Sequence, residues 1–239
     1  MRQLLPALLL GGVLLASGCG SDAPSVEPPS GPRALTADEA DRLAVVRLDN
    51  YKRDLAPFEL VVPVGDQVLT IDGQVDFRDH RAIGALVTDD APPSYGVVAW
   101  NLRSAGLLTT AEAVAPDQLA DLPAEGWHVH ALVPTDDLDA TLLVLLNRAL
   151  DRPENAQLLR QNGAQWRGAT TFAGTDVDLM SATPEGQGQA ITYYVDARGG
   201  LVRADLELAD SARPATITFP AGDGAEVPVV KALGRAPAS

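Results

Sequence analysis

Two periods of apolar residues alternate along this chain. Between residues 37 and 52, Ala40, Leu43, Ala44, Leu48 and Tyr51 recur at three- and four-residue spacing, so one face is apolar and the opposite face charged. Thr36 and Glu39 stand three apart at the start of this run, a pattern in which each side chain bonds the other's backbone N–H, and they mark the helix start. From residue 58 to residue 103 the period drops to two. Leu69, Ile71, Val75 and Phe77 fall on one face of a strand and Thr70, Asp72, Gln74 and Asp76 on the other, while Val98, Trp100 and Leu102 share a face further on. Breaks at Gly65-Asp66, near Asp79-His80 and over residues 89 to 94 divide the stretch into consecutive antiparallel strands. Such a meander hides one side and wets the other. A further strand is expected over residues 126 to 133, after a looser stretch from 107 to 122.

The middle of the chain reads as helical. Thr135 caps a segment with Asp136 and Asp137 in its first turn, and Pro153 opens a second helix that ends near Asn162-Gly163. On a wheel, Leu138, Leu142, Leu143, Leu145, Leu146, Ala149 and Leu150 cover about 160° of arc, wider than the stripe of an ordinary surface helix. Two readings account for that breadth: a helix jammed into a large core, or a lid whose extra apolar surface meets something that is not protein. After Gly163 the strand period returns over residues 165 to 172, 176 to 181 and 189 to 197. Asp196-Ala197-Arg198-Gly199-Gly200 reads as a hairpin loop. Val202, Ala204, Leu206 and Leu208 then lie opposite Arg203, Asp205 and Glu207, and a last strand covers residues 215 to 219.

The N-terminus is a different kind of segment. Arg2, an apolar run from Leu4 to Leu15 and the small residues Ala16, Ser17 and Gly18 have the parts of a secretory signal over residues 1 to 18, too short to span a bilayer as a helix. Cys19 follows directly and is the only cysteine. The run into it resembles the bacterial lipobox, although Ala16 stands where leucine is usual. That likeness implies a diacylglyceryl-cysteine anchoring the mature protein to the extracellular face of the cell membrane. Residues 19 to 34 hold four prolines and little apolar bulk, so they read as the lipidated cysteine and a flexible spacer before a single domain from 35 to 239.

Composition then limits partners. The chain has 239 residues and a formal charge of −14, and removing the signal takes away Arg2 and no acid. Nucleic acid is excluded as a partner, because phosphate binding needs clustered cations and the only lysines are Lys52 and Lys231. A basic patch for anionic lipid is absent for the same reason, so attachment rests on acyl chains. With Cys19 committed, no intramolecular disulfide is available and apolar packing must hold the domain, which is read as a monomer.

Candidate chemistry is sparse. There is no G-x-S-x-G elbow, no H-E-x-x-H and no phosphate-binding glycine loop. His128 and His130 project from one strand face and would need His80 or an acid to hold a metal, yet two imidazoles fall short of a closed site and a solvated strand face is the commoner cause. Asp136/Asp137 are explained as helix-start charges and Asp89/Asp90 as turn residues beside Pro92 and Pro93. No calcium loop appears. The expectation is a protein that is not an enzyme and uses no cofactor.

Taken in order, the lipobox, spacer, helix, meander, two helices and second run of strands resemble the LppX/LprG-type actinobacterial lipoproteins, whose fold is similar to that of the LolA and LolB carriers. IDGQVDF (residues 71 to 77), YYVDARGGLVRADLEL (193 to 208) and ATITF (215 to 219) carry the likeness. It implies an α+β fold in which a curved, half-open antiparallel sheet wraps a few helices around a cavity for lipid or glycolipid acyl chains. The lining it implies is Leu138, Leu142, Leu145, Leu146, Val75, Phe77, Val98 and Trp100. Each acyl CH₂ taken out of water contributes about 0.8 kcal/mol, so such a cavity needs no polar motif. The alternative is a surface interaction or sensor module with the same fold and a filled core.

Overall fold

The computed structural model describes residues 31–182, 190–209 and 211–235. The expected signal segment, Cys19 and the spacer as far as residue 30 lie outside the described residues.

Helix α1, Ala37–Arg53, starts as its sequence requires. The Glu39 amide donates to Thr36 Oγ1 at 3.3 Å and the Thr36 amide to Glu39 Oε2 at 2.8 Å, which closes the reciprocal cap. Ala40, Leu43, Ala44 and Val46 form its buried stripe. The meander follows as β2 (Leu55–Val64), β3 (Gln67–Asp76), β4 (Arg81–Thr88), β5 (Tyr95–Asn101), β6 (Ser104–Thr110) and β7 (His128–Ala131). Two short helices, α2 (Asp137–Leu146) and α3 (Ala156–Gln161), separate it from a second meander. That one comprises β8 (Gln165–Phe172), β9 (Thr175–Ser181), β10 (Ile191–Asp196), β11 (Leu201–Leu206) and β12 (Ala215–Thr218).

β12 pairs antiparallel with both β11 and β2, Ile217 lying opposite Leu60, and so joins the two meanders into one sheet. A two-residue strand β1, Arg33–Ala34, pairs with Gln165 and Trp166 of β8. The result is a twelve-stranded antiparallel sheet in the order β1-β8-β9-β10-β11-β12-β2-β3-β4-β5-β6-β7, open between β1 and β7. This is the α+β architecture of an open antiparallel sheet with few helices that the resemblance implies. Arg33 and Ala34 were expected in the spacer. They are held because the Arg33 guanidinium forks onto both Glu39 carboxylate oxygens at 2.7 Å and lies 4.4 Å from the Trp166 ring.

That fork makes one pH prediction. The hydrogen bonds from Arg33, with smaller help from the Thr36 amide and hydroxyl, lower the Glu39 pKa to about 2. A carboxylate depressed in the folded state adds stability above its unfolded pKa and loses it as pH falls towards the folded one. Glu39→Gln is therefore expected to cost about 1–2 kcal/mol at neutral pH, with the difference shrinking below about pH 4.5 and vanishing near pH 2. Urea unfolding of both proteins across that range measures it, and a pH-independent difference refutes it.

The helical middle differs in detail from its sequence reading. Asp136, not Thr135, caps α2, its carboxylate accepting from the Asp139 amide at 3.0 Å. The helix stops at Leu146. Pro153 does not open α3, whose cap is Asn155. The Leu150 amide donates to the Arg47 carbonyl at 3.0 Å and the Glu154 amide to the Ala44 carbonyl at 2.9 Å. Residues 150 to 154 are thus bonded along α1, and these long-range bonds hold the segment out of the next helix.

The inner face of the sheet carries the main core, in which Phe58, Leu60, Ile71, Val75, Phe77, Trp100, Met180, Val195, Leu206 and Ile217 meet α1 and α2. A bulge helps at the far side: Val195 is opposite Leu201 and Tyr194 opposite Arg203, so Val202 is the extra residue and Leu201 turns inward. The expectation of one wet face fails over β4 and β5. Ile83, Val97 and Ala99 point outward and are buried under Leu119, Val227 and Leu108. Loop residues after β6 and the C-terminal segment cover this part of the outside, which is why residues 96 to 100 are buried without alternation.

Candidate functional site

The eight residues expected to line a hollow do come together. Leu142, Leu145, Leu146, Val75, Phe77, Val98 and Trp100 belong to one cluster, with Leu138 partly buried against it. Val75, Phe77, Trp100, Leu145 and Leu146 have no exposed surface, and Leu142 has 1 %. No space large enough for a water molecule adjoins those five side chains, so their neighbours are protein atoms. The Trp100 ring stands edge-on to Phe58 at 5.6 Å, and its Nε1–H donates to the Leu142 carbonyl at 3.1 Å.

The histidines and paired acids have local partners. His128 and His130 are exposed on the same face of β7, as their spacing predicts. His130 Nε2 lies 3.0 Å from Asp139 Oδ1, and the other oxygen of that carboxylate accepts from the Val133 amide at 2.9 Å, which docks the start of α2 against the edge strand. His80 sits elsewhere, its Nδ1 3.1 Å from the Leu146 carbonyl. Asp89 Oδ1 accepts from the Val68 amide at 2.7 Å, and Asp90 accepts from Gln67 and from the Thr88 hydroxyl. Asp137 Oδ1 accepts from the Ala209 amide at 3.2 Å. Asp89 and Asp90 thus close a turn, Asp136 caps α2 and Asp137 ties the first turn of α2 to Ala209. Among the described residues, no three His, Cys, Asp or Glu side chains converge as metal ligands.

Concave surfaces lie outside the core. A cleft of about 460 Å³ beside α1, β8, β9 and β10 contains Arg42 and Asp178. These charges satisfy each other at 2.6 Å, and Asp178 also accepts from the Trp166 indole N–H at 2.8 Å. A second groove, of about 360 Å³, runs over the outside of β2, β3 and β4 between Val114 and Pro116 on one side and Pro220 on the other. Pro57, Ala85 and Val87 make it largely apolar, and Asp72 is the one charged side chain that lines it. Removal of water by these walls raises the Asp72 pKa above the ordinary carboxylate value.

Asp72 lies directly opposite Glu59 across the β2–β3 ladder. Like charges in this arrangement repel, which costs about 0.2–1 kcal/mol when nothing offsets it. Among the described residues, no lysine or arginine forms an ion pair with either of them. By its alternation alone Asp72 belongs to the polar face of its strand, with nothing local to mark it as functional. The signal was present: a two-residue turn at Gly65-Asp66 fixes the register that faces 59 with 72.

No family model matches the chain, and no curated relative does. Among solved structures, the chain is similar to the Mycobacterium tuberculosis lipoprotein LppX, at 10 % identity and a TM-score of 0.44, over 80 % of this chain and 98 % of that one. It is also similar to MucB, at 18 % identity and a TM-score of 0.35 over 83 % of this chain, and to the Pseudomonas aeruginosa MucA/MucB complex, at 15 % and 0.33 over 82 %. The chain spans 62 % and 60 % of those two chains. At such scores these are likenesses only, and function has to be read from the chain's own side chains.

Proposed function

We propose that this chain is a non-catalytic interaction module, tethered through Cys19 to the outer face of the cell membrane, that recognises a partner protein through the outer groove over β2, β3 and β4. The observation that carries this reading is the filled interior beneath α2, where Trp100, Leu145 and Leu146 have no exposed surface. A hydrophobic ligand there must first displace close-packed side chains, at the cost of their dispersion contacts. The groove offers the opposite condition. It is already open, apolar in its walls and marked by a carboxylate with a like-charged neighbour. A partner segment carrying a lysine or arginine among apolar residues would relieve that repulsion and cover the walls together. Turn and capping bonds account for Asp89, Asp90 and Asp136, Asp137 accepts from the Ala209 amide, and the sequence holds no nucleophile motif, which supports a binding role over a hydrolytic one.

Two measurements test this. Native mass spectrometry of protein extracted from its own host's membrane is expected to show the covalent acyl groups and no further lipid. Stoichiometric non-covalent lipid or glycolipid overturns the filled-core reading and restores a carrier. A photoreactive residue in place of Val87, in living cells, is expected to give a protein adduct that disappears when Asp72→Lys and Glu59→Lys are combined. An adduct indifferent to that reversal puts recognition elsewhere.

A further inference from the structure

Where the chain leaves α2 it buries a positive charge that meets no anion among the described residues. Arg148 is 9 % exposed, in a chain whose acids outnumber its bases. Its Nε–H donates to the Val144 carbonyl at 3.0 Å and its Nη1 donates to the Tyr193 hydroxyl. Both acceptors are neutral. A buried guanidinium without a carboxylate partner is costly, and the negative end of a helix offsets only part of that cost.

Counting hydrogens sharpens the point. A guanidinium has five N–H donors, and the two bonds made here leave three unclaimed. The Tyr193 hydroxyl accepts from Arg148, while its own proton has no acceptor among the described residues. Among the described residues, the side-chain atoms that are sealed from water and unpaired are Arg47 Nε and Ser181 Oγ. The unpaired Nη2 of Arg148 is not among them, so it opens onto solvent-accessible space. Arg47 itself lies on the same seam. Its carbonyl accepts from the Leu150 amide at 3.0 Å, and Asn50, one turn along α1, donates to the Arg148 carbonyl at 2.8 Å. Capping α2 explains one N–H of Arg148. It leaves three N–H groups of Arg148 and the phenolic proton unused, and all of them are donors; the Arg47 guanidinium, by contrast, already pairs with Glu154 at 3.4 Å.

We propose that Arg148 and Tyr193, between the C-terminal end of α2, α1 and β10, form a binding site for an oxyanion, either a carboxylate or a phosphate group. The three unclaimed N–H groups on Nη1 and Nη2 can donate to the oxygens of such an anion, and the phenol adds a further donor. The site is separate from the outer groove and stands or falls independently of it. The oxyanion can be free in solution or can be the head of an amphiphile.

Isothermal titration of the mature chain with inorganic phosphate, acetate and decanoate below its micelle concentration, at fixed ionic strength, tests this. Binding of at least one oxyanion is expected, lost in Arg148→Met and weakened about tenfold in Arg148→Lys, which keeps the charge and removes the fork. Decanoate binding about tenfold tighter than acetate identifies an amphiphile head, and equal binding identifies a free ion; both support the site. Should Arg148→Met fail to fold, Tyr193→Phe keeps the test readable, because it leaves the charge in place and is expected to weaken binding several-fold. No binding by any of the three, or binding unchanged in Tyr193→Phe and Arg148→Lys, overturns the proposal.

Discussion

Trp100→Ala is expected to lower the unfolding free energy by about 3–5 kcal/mol, a large share of the 5–15 kcal/mol typical of a domain. Trp100 is the largest fully buried side chain of the core. It stands on β5, in contact with Phe58 from β2 and bonded to the Leu142 carbonyl of α2, so one ring ties two separated strands to a helix. Truncation removes apolar burial and leaves a cavity that close-packed neighbours on a continuous sheet can only partly fill. Trp100→Phe separates the contributions. It keeps most of the apolar bulk, loses the indole N–H, and is expected to cost about 1–2 kcal/mol. Equilibrium urea unfolding followed by circular dichroism measures both. A loss under about 1 kcal/mol for Trp100→Ala means that α2 is not fastened through this ring.

Much of the fold follows from local pattern. Period-two runs with two-residue turns fix both strand identity and register, because a slip by one exchanges the inner and outer faces. That is why β3, β8 and the pairing of Glu59 with Asp72 are readable before any coordinates. Contacts made over long separations are not. Nothing near Ile217 announces that it will sit opposite Leu60, and Leu119 and Val227, which cover Val97 and Ala99, lie in segments with no period at all. The same limit governs the site. A wide arc of leucines measures how much apolar surface α2 presents, and it carries no information on whether side chains from β2, β5 and β12 will cover that surface. Arg148 was legible only as a residue after a leucine run, since the lack of an acid near it depends on how α1 and β10 are folded against it.

Leu142→Trp separates the two meanings of that arc. In a filled core the larger ring has to push aside Trp100 and the strands beneath it, and overpacking of this kind costs about 1–3 kcal/mol. In a sheet that holds an empty hollow under residues 138 to 150, the same ring would enter free space and add apolar burial, so stability would be unchanged or higher. Leu138 supplies the internal control: it lies partly exposed at the margin of the same cluster, and Leu138→Trp is expected to cost less than Leu142→Trp. Urea midpoints of the two variants beside the parent give the answer. A destabilised Leu142→Trp with a near-neutral Leu138→Trp leaves recognition to the outer groove and to the Arg148 seam. A Leu142→Trp protein as stable as its parent shows room inside the sheet, and a ligand with hydrocarbon tails becomes the simpler explanation of why α2 is apolar on so many sides.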